Sequence, residues 1–306
     1  VHTGAHIPET KAREDVGGNN GIGPGSVGGS MSGTGWSGEA EATGGPCRMA
    51  ADGPAAGRVT VWEADGQPWA GAGYGLEIAR RLRRSGLEVQ VVPLHRRLPD
   101  AREVAAPMHV VSGGATPATT ATGWVAESRR LLQGVLARAT AGTASVVGIC
   151  FGAQLLSVAL AGPRAVRPAR AGMEAGLRAV RHRQSGATSV VTQFHYHEIR
   201  PSAVERMGGT ITHSNDHTQV QGFTVGSRIA GYQFHPELDP DAAAATYRWN
   251  TGVLDSAGHP LRGAMASIRR HRHCWDTACF EHLVAGRLVT QPRSEDAPVG
   301  ASGVVT

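Results

Sequence analysis

The chain has 306 residues, 41% of them hydrophobic, which is enough for one large domain or two small ones with a buried core. Its 30 basic and 25 acidic residues give a net charge of +5, but only one basic residue, Lys11, is a lysine. This arginine usage indicates a compositional bias, and basic residues do not alternate with aromatic ones, so no nucleic-acid partner is expected.

The chain shows no secretory segment and no apolar run long enough to cross a bilayer. We therefore expect a cytoplasmic protein with no membrane partner. The four cysteines, Cys47, Cys150, Cys274 and Cys279, have neither zinc-ligand spacing nor a CxxC pair. They predict reduced thiols, with no metal and no cofactor.

Composition divides the chain into three parts. Residues 1–57 are rich in glycine and poor in large apolar side chains, so they are expected to be a disordered tail. A single domain is expected over 58–287, followed by a loose tail over 288–306.

Strand and helix patterns alternate in the first half of this domain. Strands are predicted over 58–63, 87–92, 108–111 and 144–149, with helices over 74–85, over 122–141 and from Gly152 onwards. This alternation predicts an α/β fold of the flavodoxin-like kind, a mixed, mostly parallel sheet with helices on both faces.

Short strands follow, and helices end the domain. The second half is predicted to be antiparallel or mixed, with strands over 177–183, 189–194, 209–213, 219–225 and 229–234. A helix capped by Asp239 is predicted to run to Trp249, and a last helix over 261–285.

The stretch from Gly148 to Gln154 has the layout of a nucleophile elbow, in which a strand, a tight turn and a helix present one side chain. That side chain is Cys150, and a helix N-terminus favours its thiolate form. The alternative is a buried core cysteine on an ordinary turn.

His235 and Glu237 supply the groups that a nucleophilic cysteine needs. His235 follows the strand at 229–234 and is a candidate general base, and Glu237 lies two residues on, close enough to hold the imidazole tautomer. The alternative is that both residues merely begin a helix.

Gly113 and Gly114 follow the third strand and offer two unobstructed backbone N–H groups. With the N–H of Phe151, Gly114 is a candidate oxyanion hole. The alternative is a simple glycine turn.

In this order and spacing, Ser112-Gly113-Gly114, Gly148–Gln154 and Tyr232–Glu237 resemble the class I, triad-type glutamine amidotransferase family, and within it a free-standing amidotransferase like that of GMP synthase. The resemblance covers roughly residues 58–250. Weaker matches are Met173–Gly176, His195–Glu198 and Ser214–Asp216.

The resemblance implies hydrolysis of the glutamine side-chain amide, with Cys150 as nucleophile, His235 as base and Glu237 orienting it. It also implies that Gly113 and Gln154 hold the glutamine, and that Ser214 contacts its α-amino or carboxylate end. Ammonia would pass to a separate synthase partner, because no synthetase motif follows residue 250. One departure is that the glycine turn reads Gly-Gly-Ala-Thr-Pro rather than Gly-Gly-Pro.

Two other functions stay open at this point. The same triad would suit a hydrolase of γ-glutamyl peptides or amides. A catalytically inactive, amidotransferase-like binding or regulatory module is the second alternative, although the intact Cys150, His235 and Glu237 disfavour it.

Overall fold

The computed structural model describes residues 57–64 and 73–289. Except for Gly57, the predicted tail at 1–57 lies outside the described residues. Residues 288 and 289 belong to the last helix, and the rest of the predicted tail at 288–306 is likewise outside the described part.

The first half alternates strands and helices as predicted, with bounds that differ by one or two residues. Its elements are β1 (Arg58–Glu63), α1 (Tyr74–Arg84), β2 (Glu88–Pro93), α2 (Ala101–Val104), β3 (Met108–Val111), α3 (Gly123–Thr140), β4 (Ser145–Ile149) and α4 (Phe151–Ala161). Gly86, with a φ of 79°, follows the end of α1, as its backbone freedom predicts. The short α2 was not predicted from the sequence. It begins with a capping box in which the side chain of Asp100 accepts from the backbone of Glu103.

The second half is built mainly of short strands. After a 3₁₀ turn (Pro163–Ala165), its elements are β5 (Val166–Pro168), β6 (Glu174–His182), β7 (Thr188–His195), β8 (His197–Ile199), α5 (Pro201–Arg206), β9 (Thr210–Ser214), β10 (Gly222–Val225) and β11 (Ile229–Tyr232). Of these, β5, β8 and α5 were not predicted from the sequence.

One sheet of nine strands holds the two halves together, in the order β2-β1-β3-β4-β11-β10-β9-β6-β7. The five strands from β2 to β11 are parallel, and the remaining pairs are antiparallel. The late strand β11 lies beside β4, so the carboxyl ends of these two strands meet at one edge of the sheet.

Helices cover both faces of this sheet. Val146 points into a core with residues of α3 and α4, whereas its neighbour Val147 points into a core with residues of α1. Successive residues of a strand face opposite sides, so β4 is buried on both faces. The predicted fold class, an α/β, mostly parallel mixed sheet with helices on both faces, is confirmed.

The C-terminal region differs from the single helix predicted over 261–285. After α6 (Pro240–Trp249) and α7 (Thr251–Ser256), helix α8 spans only Leu261–His271, followed by a 3₁₀ turn (Arg272–Cys274), a π-helical turn (Glu281–Ala285) and α9 (Gly286–Val289).

The break brings the segment after α8 against β7. The backbone N–H of Asp276 donates to Val190 O at 3.0 Å, and Ser189 Oγ donates to the Asp276 carboxylate at 2.7 Å. The rings of Trp275 and Phe280 then both contact the Arg81 guanidinium of α1, with centroids 5.5 and 5.6 Å from Cζ. A continuous helix would not make these contacts.

Among residues 57–64 and 73–289, no helix has the length and apolar character needed to cross a membrane.

Candidate active site

Cys150 occupies a sharp turn between β4 and α4. Its φ of 50° makes it the one non-glycine residue of the described chain with a positive φ, a conformation that costs energy and is held by its surroundings. A Cβ at Gly148 would lie 2.5 Å from the carbonyl carbon of Gly152, and a Cβ at Gly152 would lie 2.1 Å from Val111 O. The two glycines therefore permit the close packing that fixes this turn.

His235 and Glu237 form a buried pair. His235 Nδ1 donates to Glu237 Oε1 at 2.7 Å, and the two side chains are 1% and 0% exposed. Strand β7 fixes the turn that carries them, because His235 N donates to Thr192 O and Thr192 Oγ1 donates to Leu238 O, both at 2.8 Å. The hydrogen bond leaves Nε2 as the ring nitrogen available to a reacting group.

The surroundings of His235 favour its protonated form. Burial lowers the pKa of this histidine, but the Glu237 carboxylate and the Cys150 sulfur raise it further than burial lowers it, to about 10. Nε2 is fully buried, and the interaction of the imidazole with the Cys150 sulfur is one cause of the upward shift. Cys150 thus lies within electrostatic range of an imidazolium that Glu237 stabilises.

Two further groups contact the Cys150 sulfur. Sγ lies 3.7 Å from Phe194 O at the end of β7 and 3.8 Å from Gln233 Nε2. The other end of the Gln233 amide accepts from Gln154 Nε2 at 3.3 Å. Gln154 is therefore tied to the cysteine through Gln233.

The glycine turn after β3 lies against the histidine. A Cβ at Gly113 would come within 2.6 Å of His235 Cε1, and the Tyr74 ring stacks on the same imidazole, with centroids 5.0 Å apart. Ser112 O accepts from Gly152 N at 3.0 Å, which joins this turn to the first turn of α4. Phe151 is the first residue of α4, so its N–H has no acceptor within the helix.

Ser214 is placed apart from these residues. It ends β9, pairs with Arg181 of β6, and lines a cavity of about 520 Å³ that also has Arg178 and Asp216 in its wall. Cys150, His235 and Glu237 do not line that cavity. Ser214 shares the sheet edge of Cys150, but β9 is three strands from β4, about 14 Å at ordinary strand spacing.

A buried polar network surrounds Glu174, which is 2% exposed. Its carboxylate accepts from Asn215 Nδ2 and Gln221 Nε2, each at 2.7 Å, and lies 3.2 Å from His195 Nε2. Burial raises the pKa of Glu174, but His195 and the other partners lower it further, so the net shift is downward. The residue before His195, Phe194, is the one whose carbonyl contacts Cys150.

Thus the structure brings Cys150, His235, Glu237, Gly113 and Gln154 into one site, with Phe151 at the elbow and Gly114 in the glycine turn. Sequence reasoning missed Tyr74, Gln233 and the Phe194 carbonyl. Gln233 belongs to the motif Tyr232–Glu237, so the sequence did contain a signal for it. No sequence motif marks the stacking of the Tyr74 ring or the contact of the Phe194 carbonyl. Among the described residues, no group of three or more His, Cys, Asp or Glu is arranged to hold a metal ion.

No curated protein matches the sequence. A glutamine amidotransferase from Thermotoga maritima superposes with a TM-score of 0.60 at 16% identity, over 76% of this chain and 99% of that one. A glutamine amidotransferase from Methylobacillus flagellatus gives 0.56 at 17% identity, over 82% and 99%. At such identities these likenesses show the fold.

The sequence also matches the family model described as glutamine amidotransferase class-I, over residues 70–251. This match covers more than half of the chain and includes the elbow, the glycine turn and His235 with Glu237. The chain belongs to the class I glutamine amidotransferase family.

Proposed function

We propose that this chain hydrolyses the side-chain amide of glutamine through a thioester on Cys150, and that the ammonia serves a separate synthase partner. The observation that carries the proposal is the buried His235–Glu237 pair beside a cysteine on a strained strand-to-helix turn. Nucleophile, base and orienting carboxylate are the groups that acyl transfer through a covalent intermediate requires of the side chains.

In the first half of the reaction, Cys150 reacts as a thiolate whose proton is held on His235 Nε2, and this thiolate attacks the carboxamide carbon. The N–H groups of Gly114 and Phe151 hold the oxyanion of the tetrahedral intermediate. His235 then protonates the departing nitrogen, ammonia leaves, and a γ-glutamyl thioester remains on Cys150. Glu237 keeps Nδ1 protonated throughout, so that Nε2 is the nitrogen that exchanges protons.

In the second half, water attacks the thioester. His235 takes a proton from this water, the thiolate leaves, and glutamate is released. We place the glutamine against Gly113 and Gln154, and Ser214 is the proposed contact of its α-amino or carboxylate end. Because Ser214 lies three strands from β4, S214A is the variant that tests this contact: a raised KM for glutamine supports it, and an unchanged KM removes it.

The test of the function is glutamate release from glutamine, compared with release from a γ-glutamyl dipeptide, by the wild type and Cys150→Ala. We expect turnover of glutamine that Cys150→Ala abolishes while leaving the melting temperature within a few degrees. Activity that persists in Cys150→Ala would exclude the mechanism. Faster turnover of the dipeptide would reassign the same triad to γ-glutamyl hydrolysis.

The synthase partner needs its own measurement, because glutamate release alone does not show where the ammonia goes. We expect a low turnover of glutamine by the isolated chain, which rises when the synthase and its acceptor substrate are added. A turnover that is already maximal in the isolated chain, and that no synthase changes, would support a free-standing glutaminase.

A further inference from the structure

A second cavity, of about 500 Å³, lies where α4 ends and α5 begins. Three arginines, Arg164, Arg200 and Arg206, contribute to its wall together with the hydroxyl-bearing Ser202. No aspartate or glutamate lines it. The cavity therefore gathers three positive charges around one concave space.

These guanidinium groups have no counter-charge in the described protein. None of the three forms an ion pair or a side-chain hydrogen bond with residues 57–64 or 73–289. Arg200 is the most enclosed of them, and its Nε is a fully buried donor without an acceptor. Buried donors normally have a partner, so this one indicates an acceptor that comes from outside the chain.

Helix geometry separates this cavity from the catalytic residues. Cys150 precedes the first residue of α4 and the cavity begins at its last, Ala161, so the two lie about 16 Å apart along the helix. The C-terminus of α4 contributes about half a negative charge, which three guanidinium groups exceed. The site is thus net positive and remote from the thioester chemistry.

We propose that this cavity binds a phosphate-bearing anion. A phosphate monoester carries between one and two negative charges at neutral pH, and its three oxygens accept the paired N–H groups that guanidinium presents. The cavity falls within the size range of small-molecule sites, with room for the body of a phosphorylated metabolite beside the phosphate. The proposal does not depend on the glutaminase mechanism.

The experiment is calorimetric titration at constant ionic strength with three probes: ribose 5-phosphate, ribose and inorganic phosphate. We expect saturable binding of ribose 5-phosphate and none of ribose. Tighter binding of ribose 5-phosphate than of inorganic phosphate assigns the site to a phosphorylated metabolite. Equal binding of the two assigns it to the free ion, and either result supports the site.

Variants locate the binding. The double variant Arg164→Gln/Arg206→Gln should weaken the binding of ribose 5-phosphate at least about tenfold, since hydrogen bonds between charged groups are lost. Arg262→Gln/Arg269→Gln removes the same charge from exposed positions of α8 and should change it less than twofold. Cys150→Ala should bind as the wild type does, which keeps this test separate from that of the triad.

Absence of saturable binding by either phosphate probe would overturn the proposal. So would equal weakening by the two double variants, because that result would show a general effect of net charge. Arg164 and Arg206 are exposed and have no side-chain partner in the described chain, so their replacement should leave the melting temperature without ligand unchanged.

Discussion

The Glu237 carboxylate lies 2.7 Å from His235 Nδ1, and both side chains are buried. A carboxylate in such a place fixes the tautomer and the charge of the imidazole together. Glu237→Gln keeps the shape of this side chain and removes its charge. The variant therefore separates the effect on the charge of the imidazole from the effect on its tautomer.

For Glu237→Gln we expect kcat for glutamine to fall about 10²-fold or more, with KM little changed, because the imidazolium loses its stabilising charge. The same loss lowers the pKa of His235, which the carboxylate raises in the wild type. The alkaline limb of the kcat/KM profile should therefore move to lower pH. Glu127→Gln, an exposed change on α3, is the control, and an unmoved alkaline limb in Glu237→Gln would contradict the assignment.

Gly113→Ala tests the contact between the glycine turn and the imidazole. The added Cβ would stand 2.6 Å from His235 Cε1, so the ring or the turn must shift. We expect kcat to fall about 10²-fold, the loss typical of a displacement of about 1 Å in a catalytic group. Gly134→Ala on α3 has open space around it and should keep full activity with a small gain in stability. Wild-type kinetics in Gly113→Ala would refute the contact.

Glu174→Gln tests the polar network behind His195. The lowered pKa of Glu174 means that its charge stabilises the fold above about pH 4.5, and that this contribution is lost as pH falls through the folded-state pKa. The variant should be less stable at pH 7 by about 1–3 kcal/mol, and its stability should fall less steeply on acidification. Urea unfolding at pH 7 and pH 4 measures both. Parallel losses in wild type and variant would show that Glu174 is not the titrating group, and the exposed Glu88→Gln serves as control.

Asp239→Ala tests the start of α6. The Asp239 carboxylate accepts from the N–H groups of Asp241 and Ala242 at 3.0 and 2.8 Å, so its removal leaves two donors of the first turn without this acceptor. We expect a loss of about 1 kcal/mol in the free energy of unfolding, with kcat for glutamine kept. Asp255→Ala on α7, an exposed position, should cost less than half of this, and equal losses would mean that the cap contributes nothing specific.

The sequence predicted those parts of the fold whose signals are local. Apolar strands, amphipathic helices, Gly86 after α1 and the Asp239 cap each appear within a few neighbouring residues, and the structure confirms them. The break after His271 was missed because its cause is a tertiary contact. Trp275 pairs with Val190 of β7, and Asp276 accepts a hydrogen bond from Ser189 of the same strand. No periodicity within 261–285 reveals a contact with a strand that lies 87 residues earlier in the chain.

The same distinction applies to the site. Cys150, His235 and Glu237 could be found because they stand at the ends of strands in recognisable motifs. Tyr74 and the Phe194 carbonyl reach the site through packing between distant segments, which spacing does not record. Ser214 shows the converse, since its motif lies at the right sheet edge while its side chain lines a different cavity.

The position of β11 beside β4 has a consequence for biosynthesis. Until residues 229–232 leave the ribosome, the fully buried strand β4 has an open edge of unpaired backbone groups, the kind of surface that aggregates. His235 arrives with the strand that closes this edge. The nascent chain therefore completes its sheet and places His235 beside Cys150 at nearly the same moment. We expect a ribosome-stalled fragment that ends before residue 229 to expose both the open edge of β4 and the Cys150 thiol.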